Sequence, residues 1–175
     1  MSDNKINQKG QRIFYTYTAI PQSIGADSIP YITIMQVNKV LTKEPVFVED
    51  NDAKDYGTDP IEISGQSISK AHLNLRYTFL NGGNHLIPHS ISLLIAKDAQ
   101  PDARGYLSAE LRHDAADDLQ LNANSGYVSF TLENMPGFKE GTLKGFKIKT
   151  KTIKNETDIV EVTMNNNRKS MNFNI

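Results

Sequence analysis

Histidine and cysteine content limits the metal chemistry open to this sequence. It has no cysteine and four histidines, namely His72, His85, His89 and His113. A zinc or iron–sulfur site needs three or four convergent ligands, and thiolates are absent. His85 and His89 fall in a segment with strand character, where four residues span roughly 13 Å, so both imidazoles cannot reach one ion unless the chain bends sharply. We therefore expect the histidines to lie at the surface or in turns.

Nucleophilic catalysis finds little support in the motifs. Residues 65–69, Gly-Gln-Ser-Ile-Ser, begin like the nucleophile elbow of a hydrolase but lack its closing glycine. Glu110, His113 and Asp114 form the only compact polar trio, and they would have to converge in space to do chemistry. We expect the protein not to be an enzyme, with a small hydrolase built on this trio as the enzymatic alternative.

A run of acidic residues suggests a calcium loop, because hard cations favour several carboxylate oxygens on one turn. The match to an EF-hand fails, since Lys54 occupies the fifth ligand position and no glutamate occupies the twelfth. One interpretation is a solvated acidic loop between two strands. The other is a calcium site formed by Asp50, Asp52, Asp55 and Asp59.

Charge is distributed unevenly along the chain. Residues 44–62 are rich in Asp and Glu, whereas residues 139–154 are rich in lysine. In a strand, Lys147, Lys149 and Lys151 share one face and leave the alternate residues for the core. Lysines of this kind protect an edge strand and are neutralised by acids on the neighbouring strand. Alternatively, they dock an acidic loop of a second copy, or an anionic ligand such as a sulfated sugar or a lipid head group.

Tyr15 and Tyr17 are the aromatic pair that could form a binding surface, because they share one face of a strand. Exposed aromatic rings are typical of sugar-binding and membrane-docking surfaces, where tryptophan is prominent. The chain has no tryptophan. That absence lowers the expectation of a sugar or membrane surface without excluding either.

The elements that must position these side chains are strands. Period-two alternation recurs in short segments separated by Gly, Pro, Asn and Asp, which predicts an all-β antiparallel β-sandwich or jelly roll of about ten strands. The predicted strands are 12–20, 29–41, 45–49, 60–64, 70–79, 86–96, 105–113, 126–132, 142–153, 158–164 and 171–175.

Two connections carry specific predictions. Asp114 could cap a brief helix or turn over residues 114–119. Residues 81–84, Asn-Gly-Gly-Asn, predict a hairpin between strands 70–79 and 86–96. Its simple register would place core residues on opposite faces, so the hairpin also requires a bulge near Pro88.

Length and charge bound the remaining possibilities. The chain has 175 residues and a formal net charge of −1, which suits one β domain over 1–175, with mobile stretches at 1–11 and 165–170. A chain with so small a net charge has no overall positive potential that would attract nucleic acid. It has no transmembrane run and no secretory signal segment, so we expect synthesis in the cytoplasm, with any release by lysis or a dedicated apparatus.

Together these features favour a non-enzymatic binding or assembly protein. The first hypothesis is a homo-oligomeric structural subunit of a particle, tube, fibre or inclusion, in which end strands add to the sheet of a neighbour. The alternative is a secreted carbohydrate- or lipid-binding protein, or a toxin acting on target cells. No cofactor is expected other than calcium.

Overall fold

The computed structural model describes residues 12–24, 30–49, 56–84 and 86–164, which form eleven β-strands and no α-helix. None of these residues therefore builds a helix of the length and apolar character needed to cross a membrane. The strands are β1 (Ile13–Ile24), β2 (Pro30–Lys39), β3 (Leu41–Lys43), β4 (Val46–Val48), β5 (Ile61–Ser69), β6 (His72–Asn81), β7 (Ser90–Ala96), β8 (Tyr106–Asp114), β9 (Asn122–Thr131), β10 (Gly145–Lys151) and β11 (Thr157–Thr163). The predicted all-β class is confirmed.

The chain divides into two compact units, Met1–Thr42 and Lys43–Ile175. In the first unit, β1 and β2 form a two-stranded antiparallel sheet, which we call the ribbon. Tyr17 pairs with Ile34, whereas the next residue, Thr18, pairs with Thr33. Because paired residues share a face and neighbours alternate, Tyr15, Tyr17 and Ile34 lie on one face, which we call the apolar face. The opposite face, which carries Thr18 and Thr33, is mixed and also includes Phe14 and Tyr31.

The second unit is a sandwich of two sheets. One has the order β11-β10-β8-β7-β4, with β8–β10 and β4–β7 pairing in parallel and the other neighbours antiparallel. The other sheet contains β9, β6 and β5 in that order, all antiparallel. Strand β3 crosses the division between the units.

The core of the sandwich follows from strict alternation. In β8, Leu107, Ala109, Leu111 and His113 are buried while the residues between them are more exposed. Leu73 and Leu75 of β6 face the same core from the other sheet. The buried hydroxyl of Thr150 on β10 donates a hydrogen bond of 2.5 Å to the carbonyl of Ile61 on β5, so a polar link joins the two sheets inside the core.

The helix considered for residues 114–119 does not form. Ala116 and Asp117 have φ angles of +49° and +61°, which a right-handed helix cannot accommodate. The amide of Asp118 donates to the carbonyl of Ala115 at 3.0 Å, closing a turn with two left-handed central residues. The carboxylate of Asp114 accepts the amide of Ala116 at 2.8 Å, so it stabilises the turn.

The predicted hairpin at residues 81–84 is wrong. Strands β6 and β7 lie in different sheets, so the end of β6 at Asn81 and the start of β7 at Ser90 belong to different layers. Leu75 of β6 and Leu93 of β7 therefore meet across the core rather than side by side. No bulge near Pro88 is needed, because the register conflict arises only if the two strands pair.

Candidate functional site

The three lysines singled out by the sequence lie on the solvent face of β10. Phe146 and Ile148, which alternate with them, are fully buried, so Lys147, Lys149 and Lys151 point away from the core. Strand β10 lies between β11 and β8. The lysines therefore do not protect an edge strand, which was one interpretation of their spacing.

Lys147 belongs to an ion pair with a preorganised carboxylate. Its Nζ lies 2.6 Å from Oδ2 of Asp102. The bond from Lys147, followed by the amides of Tyr106 and Arg104, lowers the pKa of Asp102 to about 2. Asp102 is therefore a carboxylate at neutral pH.

Glu110 on β8 is the carboxylate at the centre of this face. Its Oε1 lies 3.1 Å from Nε of Arg112 and 3.3 Å from Nζ of Lys149. Arg112 also donates from Nη1 to the carbonyl of Gly57 at 3.2 Å. Two cations thus share one carboxylate, which leaves an excess of positive charge around Glu110.

A groove of about 460 Å³ runs over this face, and we call it the outer groove. A recess of about 240 Å³ continues it and shares Glu110, Arg112 and Lys149 with it. The amine of Lys151, in this recess, donates to the carbonyl of Thr58 at 3.1 Å. The outer groove combines apolar and charged walls and is lined by Val48, Leu94, Ala96, Ser108, Ala109, Glu110, Arg112, Lys147, Lys149 and Ile159.

The predicted tyrosine pair lies on the apolar face of the ribbon. Tyr15 and Tyr17 are 43% and 55% exposed, and their ring centroids are 5.9 Å apart. Ile34, the partner of Tyr17, is also exposed. The pair is therefore available for contact, as a binding surface requires, and its role stays a prediction.

Most of the predicted calcium loop, including Asp50, Asp52 and Asp55, lies outside the described residues. The carboxylate of Asp59 accepts the amide of Ala115 at 2.8 Å and the side chain of Gln120 at 3.2 Å. Among the described residues, no group of three or more histidine, aspartate or glutamate side chains could hold a metal ion. Calcium binding stays a prediction.

Two histidines and an aspartate form a row of hydrogen bonds at one end of the sandwich, which we call the histidine row. Nδ1 of His113 lies 3.0 Å from the carbonyl oxygen of Pro60. Nε2 of His113 lies 2.9 Å from Nδ1 of His89, and Nε2 of His89 lies 3.1 Å from Oδ2 of Asp118. His113 is only 1% exposed, and Asp118 is also buried.

The packing around the histidine row explains its electrostatics. Phe79 of β6 meets both rings edge-on, at centroid distances of 5.2 Å from His89 and 5.5 Å from His113. Burial lowers the pKa of His113. The amide of Gly82, which donates to Oδ2 of Asp118 at 2.8 Å, is the main cause of the lowered pKa of that carboxyl.

The polar trio weighed for a hydrolase does not converge. Glu110 lies on the solvent face of β8 beside Arg112, whereas His113 points into the core. Asp114 is engaged with the amide of Ala116 in the following turn. The three side chains therefore cannot act on one substrate.

Comparison with known proteins identifies the fold family. Residues 44–164 match the family described as "NigD-like C-terminal beta sandwich domain". The chain belongs to this family. No curated protein matches the chain.

Solved structures share the architecture of this NigD-like chain. A protein of unknown function from Bacteroides vulgatus is 21% identical with a TM-score of 0.74, and the match covers 94% of this chain and 76% of that one. A protein described as toxin related, from Parabacteroides distasonis, is 26% identical with a TM-score of 0.64 and coverages of 86% and 72%. A NigD-like immunity protein from Bacteroides caccae is 18% identical with a TM-score of 0.63 and coverages of 86% and 71%.

The NigD-like match contains the outer groove and the histidine row, whereas the ribbon lies before it. Sequence reasoning missed the histidine row, because His113 comes from β8 and His89 and Asp118 come from connections, and their proximity depends on strand order. One signal was present. The alternation through Leu107, Ala109 and Leu111 places His113 at the next core position, where a buried imidazole must find hydrogen-bond partners.

Proposed function

We propose that this NigD-like chain is a non-enzymatic binding protein that associates with a second copy of itself through the apolar face of the ribbon. The observation that carries the proposal is an apolar sheet face left open to solvent. Its large side chains are at least 38% exposed, and they are Ile13, Tyr15, Tyr17, Ile32 and Ile34.

The architecture of the ribbon supports a partner. A two-stranded sheet alone is marginally stable in water and gains stability when an apolar face is covered. Within the described residues, β1 and β2 pair only with each other. A contiguous exposed apolar surface of this kind is typical of an interaction site.

The chemistry of the ribbon favours a second copy as that partner. Lys39, at the end of β2, is the single charged residue in the two strands, so little on them calls for an oppositely charged partner. Two copies related by a twofold axis would bring identical apolar faces together, as sheets do in a sandwich. The net charge of −1 adds little repulsion between copies.

Light scattering after size exclusion tests the proposal. The wild-type chain at roughly 0.1 mM is expected at twice its mass of 19.5 kDa. Ile34→Lys would place a charge in the apolar face and yield a monomer. Thr33→Lys is the matched control, because Thr33 pairs with Thr18 on the opposite face of the ribbon, and this variant should remain a dimer. A monomeric wild-type chain contradicts the proposal.

The salt dependence of dimerisation distinguishes an interface on the ribbon from the lysine-based interface that the sequence suggested. An apolar contact should persist between about 50 mM and 500 mM salt, whereas docking of an acidic loop on Lys147, Lys149 and Lys151 should weaken as charges are screened. A dimer that dissociates with salt would therefore move the interface from the ribbon to the lysines.

The outer groove supports a second candidate function, the binding of a ligand with an apolar body and an anionic group. Arg112 and Lys149 share the carboxylate of Glu110, whereas Lys147 is paired with Asp102, so the groove keeps an excess of positive charge. Leu94 and Ala96 supply apolar surface. An anionic lipid head group or a sulfated sugar fits this chemistry. Binding to vesicles with and without anionic lipid, and to sulfated and unsulfated glycans, tests it. Loss of binding in Lys149→Ala would place the ligand in the groove.

The names of the solved relatives suggest what a monomeric result would mean. One relative is called an immunity protein and another toxin related. A chain that stays monomeric yet binds a different protein through the ribbon would support recognition of a foreign partner instead of self-assembly. The Ile34→Lys and Thr33→Lys pair would locate that contact in the same way.

A further inference from the structure

Asn81 and Gly82, at the end of β6, form the single Asn-Gly pair of the sequence. In such a pair the backbone nitrogen of glycine can attack the side-chain carbonyl carbon of asparagine, because glycine has no side chain to hinder the approach. The attack forms a bond from that nitrogen to Cγ and breaks the bond from Cγ to the side-chain nitrogen, and the amide proton leaves with ammonia. Water then opens the cyclic imide at either carbonyl, which yields aspartate or isoaspartate.

Close packing requires glycine at position 82. A Cβ atom on Gly82 would lie 2.6 Å from Oδ1 of Asp118 and 3.0 Å from Cβ of Leu119. Asp118 is buried, and its Oδ1 accepts the amide of Leu119 at 2.8 Å, so the carboxylate has little room to move away. The reactive pair is therefore a consequence of the close approach between the end of β6 and the turn after β8.

Asp118 restrains the nitrogen that would attack. The amide of Gly82 donates to Oδ2 of Asp118 at 2.8 Å. This bond is the main cause of the lowered pKa of Asp118, so the group is a carboxylate at neutral pH. Attack requires the nitrogen of Gly82 to lose its proton, and the adjacent negative charge opposes the negative charge that would develop there.

Strand β9 restrains the side chain that would be attacked. Oδ1 of Asn81 accepts a hydrogen bond of 2.9 Å from Nδ2 of Asn124. Asn124 pairs with Phe79, which precedes Asn81 by two residues on β6. The side chain of Asn81 is therefore directed back along the strand, away from the nitrogen of Gly82. The backbone carbonyl of Asn81 also accepts the amide of Leu121 at 3.1 Å, which fixes the main chain at this point.

We infer that Asn81 is a deamidation site that the folded chain protects, and that it reacts when this end of the sandwich opens. The two reacting groups are held apart by different segments, since Asp118 follows β8 and Asn124 lies on β9. Isoaspartate at position 81 would add one methylene to the main chain and shift Gly82 away from Asp118. Because ammonia is lost, refolding does not reverse the change.

Peptide mass spectrometry of the full chain, incubated at mildly alkaline pH, tests the site and its protection. A gain of one mass unit in the peptide that contains Asn81 measures the reaction. The chain unfolded in guanidinium chloride should react there at least about tenfold faster than the folded chain. Equal rates in the two states would contradict the protection. An unfolded chain that does not react at Asn81 would contradict the site itself.

Two variants locate the protection in the folded chain. Asn124→Ala removes an exposed donor and frees the side chain of Asn81, so the rate should rise severalfold. Asn122→Ala is the matched control, because it changes another exposed asparagine of β9, and it should react like wild type. Asp118→Ala releases the amide of Gly82 and should react faster than wild type.

Urea unfolding of each variant shows whether it is folded under the incubation conditions. Asn124 is exposed, so its variant keeps the inference testable even if removal of the buried Asp118 unfolds the chain. If folded Asn124→Ala reacts no faster than Asn122→Ala, the hydrogen bond to Asn81 does not protect the site and the inference is overturned.

Discussion

The ribbon and the sandwich are built from the same alternating pattern, but only the sandwich covers the apolar face that alternation creates. In β8, Leu107 and Leu111 are almost completely buried by the opposite sheet. In β1, Tyr15 and Tyr17 occupy equivalent alternate positions and remain about half exposed. Alternation thus specifies a strand and its faces, whereas a second layer decides whether a face becomes core or interface. The ribbon therefore keeps exposed the kind of apolar face that the sandwich buries in its core.

Truncation of a core aromatic should show the largest difference between the two regions. Phe146 is fully buried between the sheets. Phe146→Ala is expected to lower the free energy of unfolding by about 3–5 kcal/mol, because it leaves a cavity. Tyr17→Ala in the ribbon should change it by less than about 0.5 kcal/mol. Urea denaturation measures both, and equal losses would contradict the distinction.

Removal of the polar link between the sheets should have the next largest effect. Thr150→Val keeps the side-chain shape but leaves the carbonyl of Ile61 without its donor, at a cost of about 1–3 kcal/mol. Thr163 provides a matched control, because its hydroxyl bonds to Tyr106 at 2.7 Å at an exposed site. Thr163→Val should cost less than Thr150→Val in the same urea assay.

Acid should destabilise the sandwich through the histidine row. The pKa of His113 is lowered by burial, so the unfolded chain takes up a proton below about pH 6.5 that the folded chain excludes, and stability falls as the pH decreases. The lowered pKa of Asp118 acts in the same direction at lower pH. Its contribution is complete above about pH 3.8 and is lost as the pH falls through the folded value.

The midpoint of urea unfolding between pH 7 and pH 3 measures this dependence. His72→Gln should leave the loss of stability between pH 7 and pH 5 unchanged, because that loss is due to His113. A midpoint that does not change between pH 7 and pH 5 would contradict the burial argument. Residues 13–24 and 30–39 of the ribbon contain no histidine or carboxylate. The ribbon should therefore contribute nothing to the change in stability between pH 7 and pH 3.

Loss of a lysine on the outer groove should have the smallest effect on stability. The ion pair of Lys149 with Glu110 is 3.3 Å long, and the lysine side chain is 53% exposed. Lys149→Ala is expected to cost about 0.2–1 kcal/mol, decreasing as salt is added. Urea unfolding at low and high salt checks it. A large, salt-independent loss would mean that this face is part of the folding core.

Local pattern was enough to predict strands and faces. The alternation of Phe146 and Ile148 with the lysines of β10 correctly placed the apolar residues in the core. Period two is a property of the strand itself, so it can be recognised without knowledge of the neighbours.

Strand order was not accessible to the same reasoning. The Gly82-Gly83 turn signal is compatible with a hairpin and with a crossover between sheets, and the structure has the crossover. His89 and His113 are 24 residues apart in the chain, and they meet only because β7 and β8 pair with Ile91 opposite His113. The histidine row therefore depends on topology, which alternation does not encode.

The parallel pairing of β8 with β10 has a consequence for how the sandwich folds. Partner residues such as Ser108 and Lys147 are 39 positions apart, and the intervening β9 belongs to the other sheet. Such a pair cannot form as a local hairpin, so a long loop must close before any of its hydrogen bonds contribute. We expect slow folding, with β10 joining the sheet after the antiparallel pair β7–β8 and the outer groove completed only at that late step.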